Sequence, residues 1–472
     1  MQWRTAVVKN KSIIFADMKI MYCIRGLHNS GGMERVLSVK ANLLASRGHE
    51  VSIVVLRLKG RKPFFPIDPS VNIVDLSAPY LSLPGHSSSA SATSDSPRTT
   101  VSSAVGSTSV PSTESASTES SASPVSSAVG NAANPASCSA RTEGIASVPS
   151  TMASERLKGS VRKRLSRVVE MLDPDVCVSL CGPEVRILPA VAGGRPCVAE
   201  YHFSHDKFYR KYGGIFMYPY AWLRTHMLER AVSEYDCMVT LTEHDLPIWK
   251  RHCRRVERIF NPVTTPPGQV SRLAEKRMIA VGRLEDQKNF KDLVSAWSIV
   301  AERCPDWRLE IFGEGKLEHA LRSQIARLGL TGSVILRGVV KDIASEYSNS
   351  SALLMTSLHE GFPLALVEAS SFGLPLISYD CPTGPSEIIV DAGDGGDAGN
   401  VPAATLDQAA GNTPNGYLVP VGDVRTLADR ICRIASDDNL RLRLGAASKA
   451  SSRRFTPETI ISAWEHLFSS LL

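Results

Sequence analysis

The chain has 472 residues, 43% of them hydrophobic, and a formal net charge of +6 at pH 7. This length indicates two or three domains, and the apolar fraction excludes a largely disordered polymer. No window approaches about eighteen consecutive apolar residues, so a membrane-spanning helix is not expected, and the N-terminus lacks the apolar core of a signal peptide. The ten cysteines stand singly, which is typical of reduced thiols in a cytoplasmic protein.

The N-terminal half alternates short apolar strands with amphipathic helices. Its first strand runs from Lys19 to Ile24 and is followed by a Gly-rich turn and a helix from about Met33. Residues 1–17 are interpreted as a disordered leader, or as sequence upstream of a true start at Met18. Further strands are predicted to begin at residues 51 and 237, to span residues 175–180, and to end at residues 202 and 261. Residues 18–262 therefore form a predicted Rossmann-like domain that ends at Pro262.

Two inserts interrupt this pattern. Residues 87–153 are rich in Ser, Ala and Thr, and the hexapeptide VSSAVG begins both at Val101 and at Val125. Such a segment cannot bury enough apolar surface to offset the entropy of ordering, so it is predicted to be disordered. Residues 391–414, rich in Gly, Asp and Ala, are predicted to form a second flexible insert.

The second half repeats the alternation over residues 263–455. Strands are predicted at MIAVGRL, LEIFGEG, VILRG, ALLM and PLIS, and a helix begins near Phe290. The last helix, 456–472, is compatible with either half, including a return to the N-terminal domain. The sequence thus predicts an α/β fold of two facing Rossmann-like domains, with a ligand in the cleft at the carboxyl ends of the strands.

The segment EGFPLALVE carries the strongest chemical signal. It follows an apolar strand and places Glu360 and Glu368, with seven residues between them, around a strand–turn–helix junction. Such a junction directs backbone N–H groups and the positive end of a helix toward an anion. One carboxylate is suited to sugar hydroxyls and the other to ribose hydroxyls. The alternative is an ordinary helix start with favourable acidic residues.

Two further elements support an anion site. Arg283 and Lys288 lie five residues apart after a predicted strand, a spacing that suits the two phosphates of a nucleoside diphosphate. Gly31 and Gly32 begin the first helix and allow the backbone to approach a phosphate. Taken alone, the cations would instead favour a solvated turn with an internal ion pair to Glu285 or Asp286.

The motifs GGMER, FNPV, AVGRLEDQKN, LEIFGEG and EGFPLALVEASSFGLPLI together resemble the family 4 glycosyltransferases. The likeness is dense from residue 277 to 418, and the N-terminal half is similar to bacterial members that build lipopolysaccharide and other surface polysaccharides. The resemblance implies the GT-B fold, transfer of a hexose-type sugar with retention of anomeric configuration, a nucleotide-sugar donor and no essential metal or cofactor.

The resemblance also implies roles for particular residues. Glu360 would hold donor-sugar hydroxyls near the reacting carbon, and Glu368 would hold the ribose. His202 would lie beside the sugar, although His205 competes for that role and a hydrogen-bonded strand-end histidine is the plain alternative. The remaining implied donor-site groups are Arg283 and Lys288 on the diphosphate, the amides near Gly361, Phe362 and Leu364, and the loop of Gly31 and Gly32.

Two stretches of the N-terminal half are candidates for the acceptor side. Residues 155–167 form a basic helix, and residues 207–224 mix aromatic with cationic side chains. Such surfaces suit a glycan or lipid-linked acceptor at the anionic inner face of the membrane, and nucleic acid is not an expected partner. An ordinary solvated helix followed by core aromatics is the alternative.

Two other functions use the same architecture. A nucleotide-sugar epimerase would need no acceptor and would release no nucleoside diphosphate. A catalytically idle sugar-binding subunit would not need Glu360, Glu368, Arg283 and Lys288 together.

Overall fold

The structure, a computed structural model, describes residues 17–78, 150–212, 214, 216–393 and 413–472. Nearly all of the predicted leader, most of the Ser/Ala-rich insert and most of the second insert lie outside the described residues. The interpretations of these three segments therefore stay predictions.

The N-terminal half is built on a seven-stranded sheet of order β3-β2-β1-β4-β5-β6-β7, in which all neighbours pair in parallel. Alternate residues of β1 enter two different cores, Ile20 and Tyr22 on one face and Met21 and Cys23 on the other. A sheet covered on both faces requires continuous apolar strands, which this half supplies. The strands are β1 Lys19–Ile24, β2 Glu50–Val55, β3 Asn72–Asp75, β4 Val176–Ser179, β5 Cys197–Glu200, β6 Cys237–Thr240 and β7 Val256–Arg258.

Six helices accompany this sheet. Helix α1 follows β1 and buries Val36, Leu37 and Leu44. The helices are α1 Gly32–Ser46, α2 Ser150–Leu172, α3 Leu188–Val191, α4 Lys207–Lys211, α5 Tyr218–Val232 and α6 Leu246–Trp249.

The C-terminal half contains a six-stranded parallel sheet of order β10-β9-β8-β11-β12-β13. Its strands are β8 Arg277–Val281, β9 Arg308–Phe312, β10 Val334–Gly338, β11 Ala352–Met355, β12 Leu376–Tyr379 and β13 Gly416–Val419. Its helices are α7 Phe290–Arg303, α8 Glu318–Arg327, α9 Ile343–Ser348, α10 Leu364–Ser371, α11 Pro385–Ile388, α12 Val424–Ser436 and α13 Asp438–Ser451. The predicted α/β class with two Rossmann-like sheets is confirmed.

The C-terminal helix α14, Pro457–Ser469, packs on the N-terminal half. Ile460, Trp464 and Phe468 lie in the same apolar core as Tyr22 and Leu37. The chain therefore connects the two halves twice, once after Pro262 and once before α14. At this junction the amide of Val263 donates a 2.7 Å hydrogen bond to the carbonyl of Phe455.

The described residues can be compared with two expectations from the sequence, reduced cysteines and no membrane-spanning helix. Each of the nine cysteines in the described part of the chain is free of a disulfide bond. Among the described residues, no helix combines the length and the apolar character needed to cross a bilayer.

Candidate active site

The centre of the site is an ion pair between two of the predicted residues. Lys288 ends a short 3₁₀ turn that follows β8, and Glu360 lies beyond the adjacent strand β11. The Nζ atom of Lys288 lies 2.6 Å from Oε1 of Glu360, with 17% and 9% of the two side chains exposed. A Cβ at Gly282 would approach the Lys288 side chain to 3.0 Å, so glycine leaves room for the lysine to cross the strand end.

Arg283 is placed differently from Lys288. Its side chain is 67% exposed and lies 2.9 Å from Glu285. This is the solvated-turn pairing that the sequence allowed as an alternative, but it applies to Arg283 alone, because Lys288 reaches Glu360 instead. Before any ligand binds, the two predicted phosphate-binding cations therefore have different partners.

The loop between Glu360 and α10 is held from several sides. The hydroxyl of Thr383 donates to the carbonyl of Glu360, and the Phe362 ring is buried in a stack with Phe260, with ring centroids 5.4 Å apart. Pro363 precedes α10, and its carbonyl accepts hydrogen bonds from the amides of Leu366 and Val367 in the first turn of the helix. The start of α10 therefore follows the Lys288–Glu360 pair closely in the chain, and helix starts of this kind are suited to anions.

The N-terminal half contacts this loop through two glycines. A Cβ on Gly361 would lie 2.5 Å from the carbonyl oxygen of His202, and one on Gly32 would lie 3.1 Å from the Leu364 side chain. The predicted Gly31–Gly32 loop, the His202 segment and the EGFPL loop therefore meet. The site is formed by the carboxyl-terminal edges of both sheets.

His202 is connected to a buried charge network that the sequence did not reveal. Its Nε2 atom lies 3.1 Å from Oε1 of Glu200, and the Nζ atom of Lys40 donates to both Glu200 oxygens at 2.6 Å. Burial by itself raises the pKa of Glu200, but Lys40 and His202 lower it to about 2. Glu200 is therefore ionised at neutral pH and lies beside the imidazole of His202, whose backbone carbonyl approaches Gly361. His205, the competing candidate, pairs with Glu229 instead.

Glu368 lies at the junction and is only 3% exposed. Its Oε1 atom accepts hydrogen bonds from Thr264 and Thr265 and lies 3.0 Å from Arg35, while Tyr347 donates to Oε2. The predicted contact with ribose would have to replace one of these partners. Arg35 is a residue that sequence reasoning missed, although it is the last letter of the GGMER motif.

A cavity of about 700 Å³ opens beside Leu358, which lies two residues before Glu360. Arg210 of the N-terminal half and the carboxylates Asp380 and Asp391 line it. Burial, followed by the neighbouring Asp391, raises the pKa of Asp380. Asp380 directly follows strand β12, a position that could have marked it as a candidate from the sequence.

The glycine contact between the halves generates a prediction. Gly361→Ala places a methyl group where the His202 carbonyl lies, so the two loops must separate. We expect a loss of about 1–3 kcal/mol in the free energy of unfolding, the usual cost of overpacking. Urea denaturation of the two proteins measures it.

The matched control is Gly268→Ala, because nothing lies within 4 Å of the Cβ it would add. We expect its unfolding free energy to stay within about 0.5 kcal/mol of the parent protein. Equal stability of Gly361→Ala and Gly268→Ala would contradict the close approach described above.

Comparisons with known proteins agree with this geometry. Residues 266–451 match the family described as "Glycosyl transferases group 1". The chain is 23% identical over 450 residues to an uncharacterized glycosyltransferase of Haemophilus influenzae, covering 95% of this chain and 99% of that protein. It is 30% identical over 195 residues to the amylovoran biosynthesis glycosyltransferase AmsD of Erwinia amylovora, covering 41% of this chain and 48% of AmsD.

The fold has close counterparts among solved structures. The lipopolysaccharide outer core galactosyltransferase WaaB in its apo form superposes with a TM-score of 0.60 at 18% identity, over 96% of this chain and 100% of that one. At this identity the likeness concerns the fold, which is GT-B. The chain is a glycosyltransferase of the GT-B fold.

Proposed function

We propose that the enzyme transfers a sugar from a nucleoside diphosphate sugar to a glycan or lipid-linked acceptor, with retention of anomeric configuration. The observation that carries the proposal is the half-buried Lys288–Glu360 pair. It lies at the start of α10 and beside the loop of His202. This arrangement combines a cation, a helix N-terminus and a carboxylate at one point between two domains.

The negative charge of the leaving group explains why the proposed site contains cations. Cleavage of the anomeric C–O bond builds negative charge on the diphosphate, and preorganised cations and helix amides stabilise that charge. Lys288 and the first turn of α10 are proposed to share one phosphate group. The exposed Arg283 can exchange its ion pair with Glu285 for a second phosphate oxygen, because that pair is solvated and weak.

The sugar is proposed to lie between Glu360 and His202. Lys288 occupies Oε1 of Glu360, and a carboxylate has further lone pairs that can accept sugar hydroxyls. His202, whose backbone approaches Gly361, is proposed to border the same space from the other domain. The closing of two domains around the sugar excludes water, which strengthens each of these electrostatic contacts.

Glu368 is proposed to bind the ribose hydroxyls. In the structure this carboxylate pairs with Arg35 of the N-terminal half, and a bound ribose would share the carboxylate with that guanidinium. A hydroxyl pair can replace the threonine hydroxyls of Thr264 and Thr265 without leaving the charge of Glu368 unpaired. We therefore expect nucleotide binding and the position of Arg35 to be coupled.

We also propose that the donor diphosphate needs no metal ion. Lys288, Arg283 and the helix amides supply the charge neutralisation that Mg²⁺ provides in other transferases. No cofactor is required by this chemistry, since the donor brings the activated sugar.

The family match does not favour the two alternative functions. Neither an epimerase nor an idle sugar-binding subunit is favoured, because the matched family and the named relatives are glycosyltransferases. The name of AmsD, amylovoran biosynthesis, supports a role in bacterial surface polysaccharide synthesis. We place the reaction on the cytoplasmic side of the inner membrane.

The first test is donor hydrolysis. The purified protein is incubated with a panel of nucleoside diphosphate sugars that includes glucose, galactose and N-acetylglucosamine donors, and release of nucleoside diphosphate is measured. We expect one donor class to be hydrolysed slowly, and Lys288→Ala to lower this rate about 30- to 1,000-fold, since one preorganised donor contributes about 2–4 kcal/mol.

Lys316→Ala is the matched control, because Lys316 is an exposed lysine paired with Asp286 in the same region. We expect it to retain the parental rate. Full activity of Lys288→Ala would remove the lysine from the leaving-group site. Conversion of the sugar without release of nucleoside diphosphate would favour the epimerase.

The acceptor side is proposed to contact an anionic membrane. The start of α5 exposes Tyr218, Tyr220 and Trp222, and Phe216 just before it is 93% exposed. Lys211 at the end of α4 is also exposed. Aromatic side chains beside lysine suit the interface of a bilayer that contains anionic lipid.

Vesicle sedimentation tests this surface. We expect the protein to bind phosphatidylglycerol vesicles more tightly than phosphatidylcholine vesicles, and the double variant Phe216→Ser/Trp222→Ser to bind at least about tenfold more weakly. Phe64→Ser, which removes another exposed phenylalanine, is the control and should bind normally. Equal sedimentation of all three proteins would exclude the surface from membrane contact.

A further inference from the structure

Two histidines and a glutamate converge in the N-terminal half, outside the proposed donor site. The Nε2 atom of His205 lies 2.8 Å from Oε1 of Glu229, and the Nε2 atom of His252 lies 3.4 Å from the same oxygen. One ligand atom of each residue lies within 4.8 Å of the other two. Three potential ligand atoms thus surround one small volume.

This set of side chains has the composition of a transition-metal site. Two imidazoles and one carboxylate are a ligand set that zinc uses in proteins, with a further position open to water. Metal–ligand distances of about 2.0–2.1 Å in a tetrahedron separate ligand atoms by about 3.3 Å. The spacings of 2.8 and 3.4 Å therefore need only small side-chain adjustments.

The three residues come from separate and well-packed segments. Glu229 belongs to α5, whose neighbouring Leu228 and Val232 are buried. The rings of His205 and His252 both contact the fully buried Trp249 edge-on, with centroids at 5.0 and 6.4 Å. The ligands are therefore held in place before an ion binds, which lowers the entropy cost of binding.

A simple ion pair is the competing explanation. A protonated histidine would form an ion pair with Glu229 without a metal. One carboxylate oxygen would then have to accept hydrogen bonds from two imidazoles. Neutral imidazoles that share a divalent ion with the carboxylate remove this competition. His226, whose Nδ1 atom lies 3.5 Å from the other Glu229 oxygen, is available as a fourth ligand.

We propose that His205, Glu229 and His252 bind one divalent transition-metal ion of the zinc type, with water or His226 completing the coordination. The metal-free expectation from the sequence concerned the donor diphosphate, which this ion does not contact. The role of the ion is to position the chain. His205 lies three residues after His202, whose carbonyl Gly361 approaches, so the ion fixes the loop that borders the donor site.

The test uses the full chain without a histidine tag, stripped with a chelator. Zinc binding is measured by calorimetry, and Co²⁺ is then added as a spectroscopic substitute. We expect one equivalent of zinc and a visible Co²⁺ spectrum of nitrogen and oxygen ligands. Thiolate bands should be absent, because the neighbouring Cys253 is buried and donates to the carbonyl of Val232.

Two ligand variants and one control complete the design. His252→Gln and Glu229→Gln should bind zinc more than about 100-fold more weakly, whereas His319→Gln, which alters an exposed histidine of α8, should bind normally. Zinc should raise the melting temperature of the parent and of His319→Gln only. Equal melting temperatures of the chelated proteins establish that the variants fold.

The parent protein alone can overturn the proposal. Failure to bind an equivalent of zinc, or a Co²⁺ spectrum with thiolate bands, would exclude this cluster as the site. Unchanged zinc affinity in His252→Gln would place the metal elsewhere.

Discussion

The close approach of two loops through Gly361 is the contact on which the site depends. With no side chain at this position, the EGFPL loop reaches the backbone of His202, and Gly32 makes the reciprocal approach to Leu364. Because both sheets are parallel, each presents its strand ends at one edge. The glycine contacts bring these two edges together and create a site that neither half possesses alone.

Charges near this junction are buried in pairs. Lys288 forms an ion pair with Glu360, Lys40 with Glu200, and Arg35 with Glu368. A buried ion is costly unless it is paired, so each pair fixes the geometry of its loops. A charged substrate can therefore enter only by exchanging partners with residues already in position. In the proposed function, these paired charges would form a preorganised site whose electrostatics act at the moment of bond cleavage.

Much of the fold could be predicted from the sequence. Strands that are covered on both faces consist of continuous apolar runs, which can be recognised in the sequence. The edge strands β3 and β13 were missed, since NIVD is only partly buried and GYLV follows an insert. The motifs identified Glu360 and Lys288, but not that they pair. The partners of His202 and Glu368 come from distant parts of the chain, and no local pattern predicts such tertiary contacts. The same holds for His205, Glu229 and His252.

The central claim is that Glu360 serves the reacting sugar and Glu368 the non-reacting ribose. Calorimetric titration of the nucleoside diphosphate released from the accepted donor tests it directly, with Glu360→Gln and Glu368→Gln compared. The account predicts near-parental affinity for Glu360→Gln and at least about tenfold weaker binding, or 1.4 kcal/mol, for Glu368→Gln. Equal and negligible effects of the two substitutions on binding and turnover would contradict this assignment. The segment EGFPLALVE would then be an ordinary helix start.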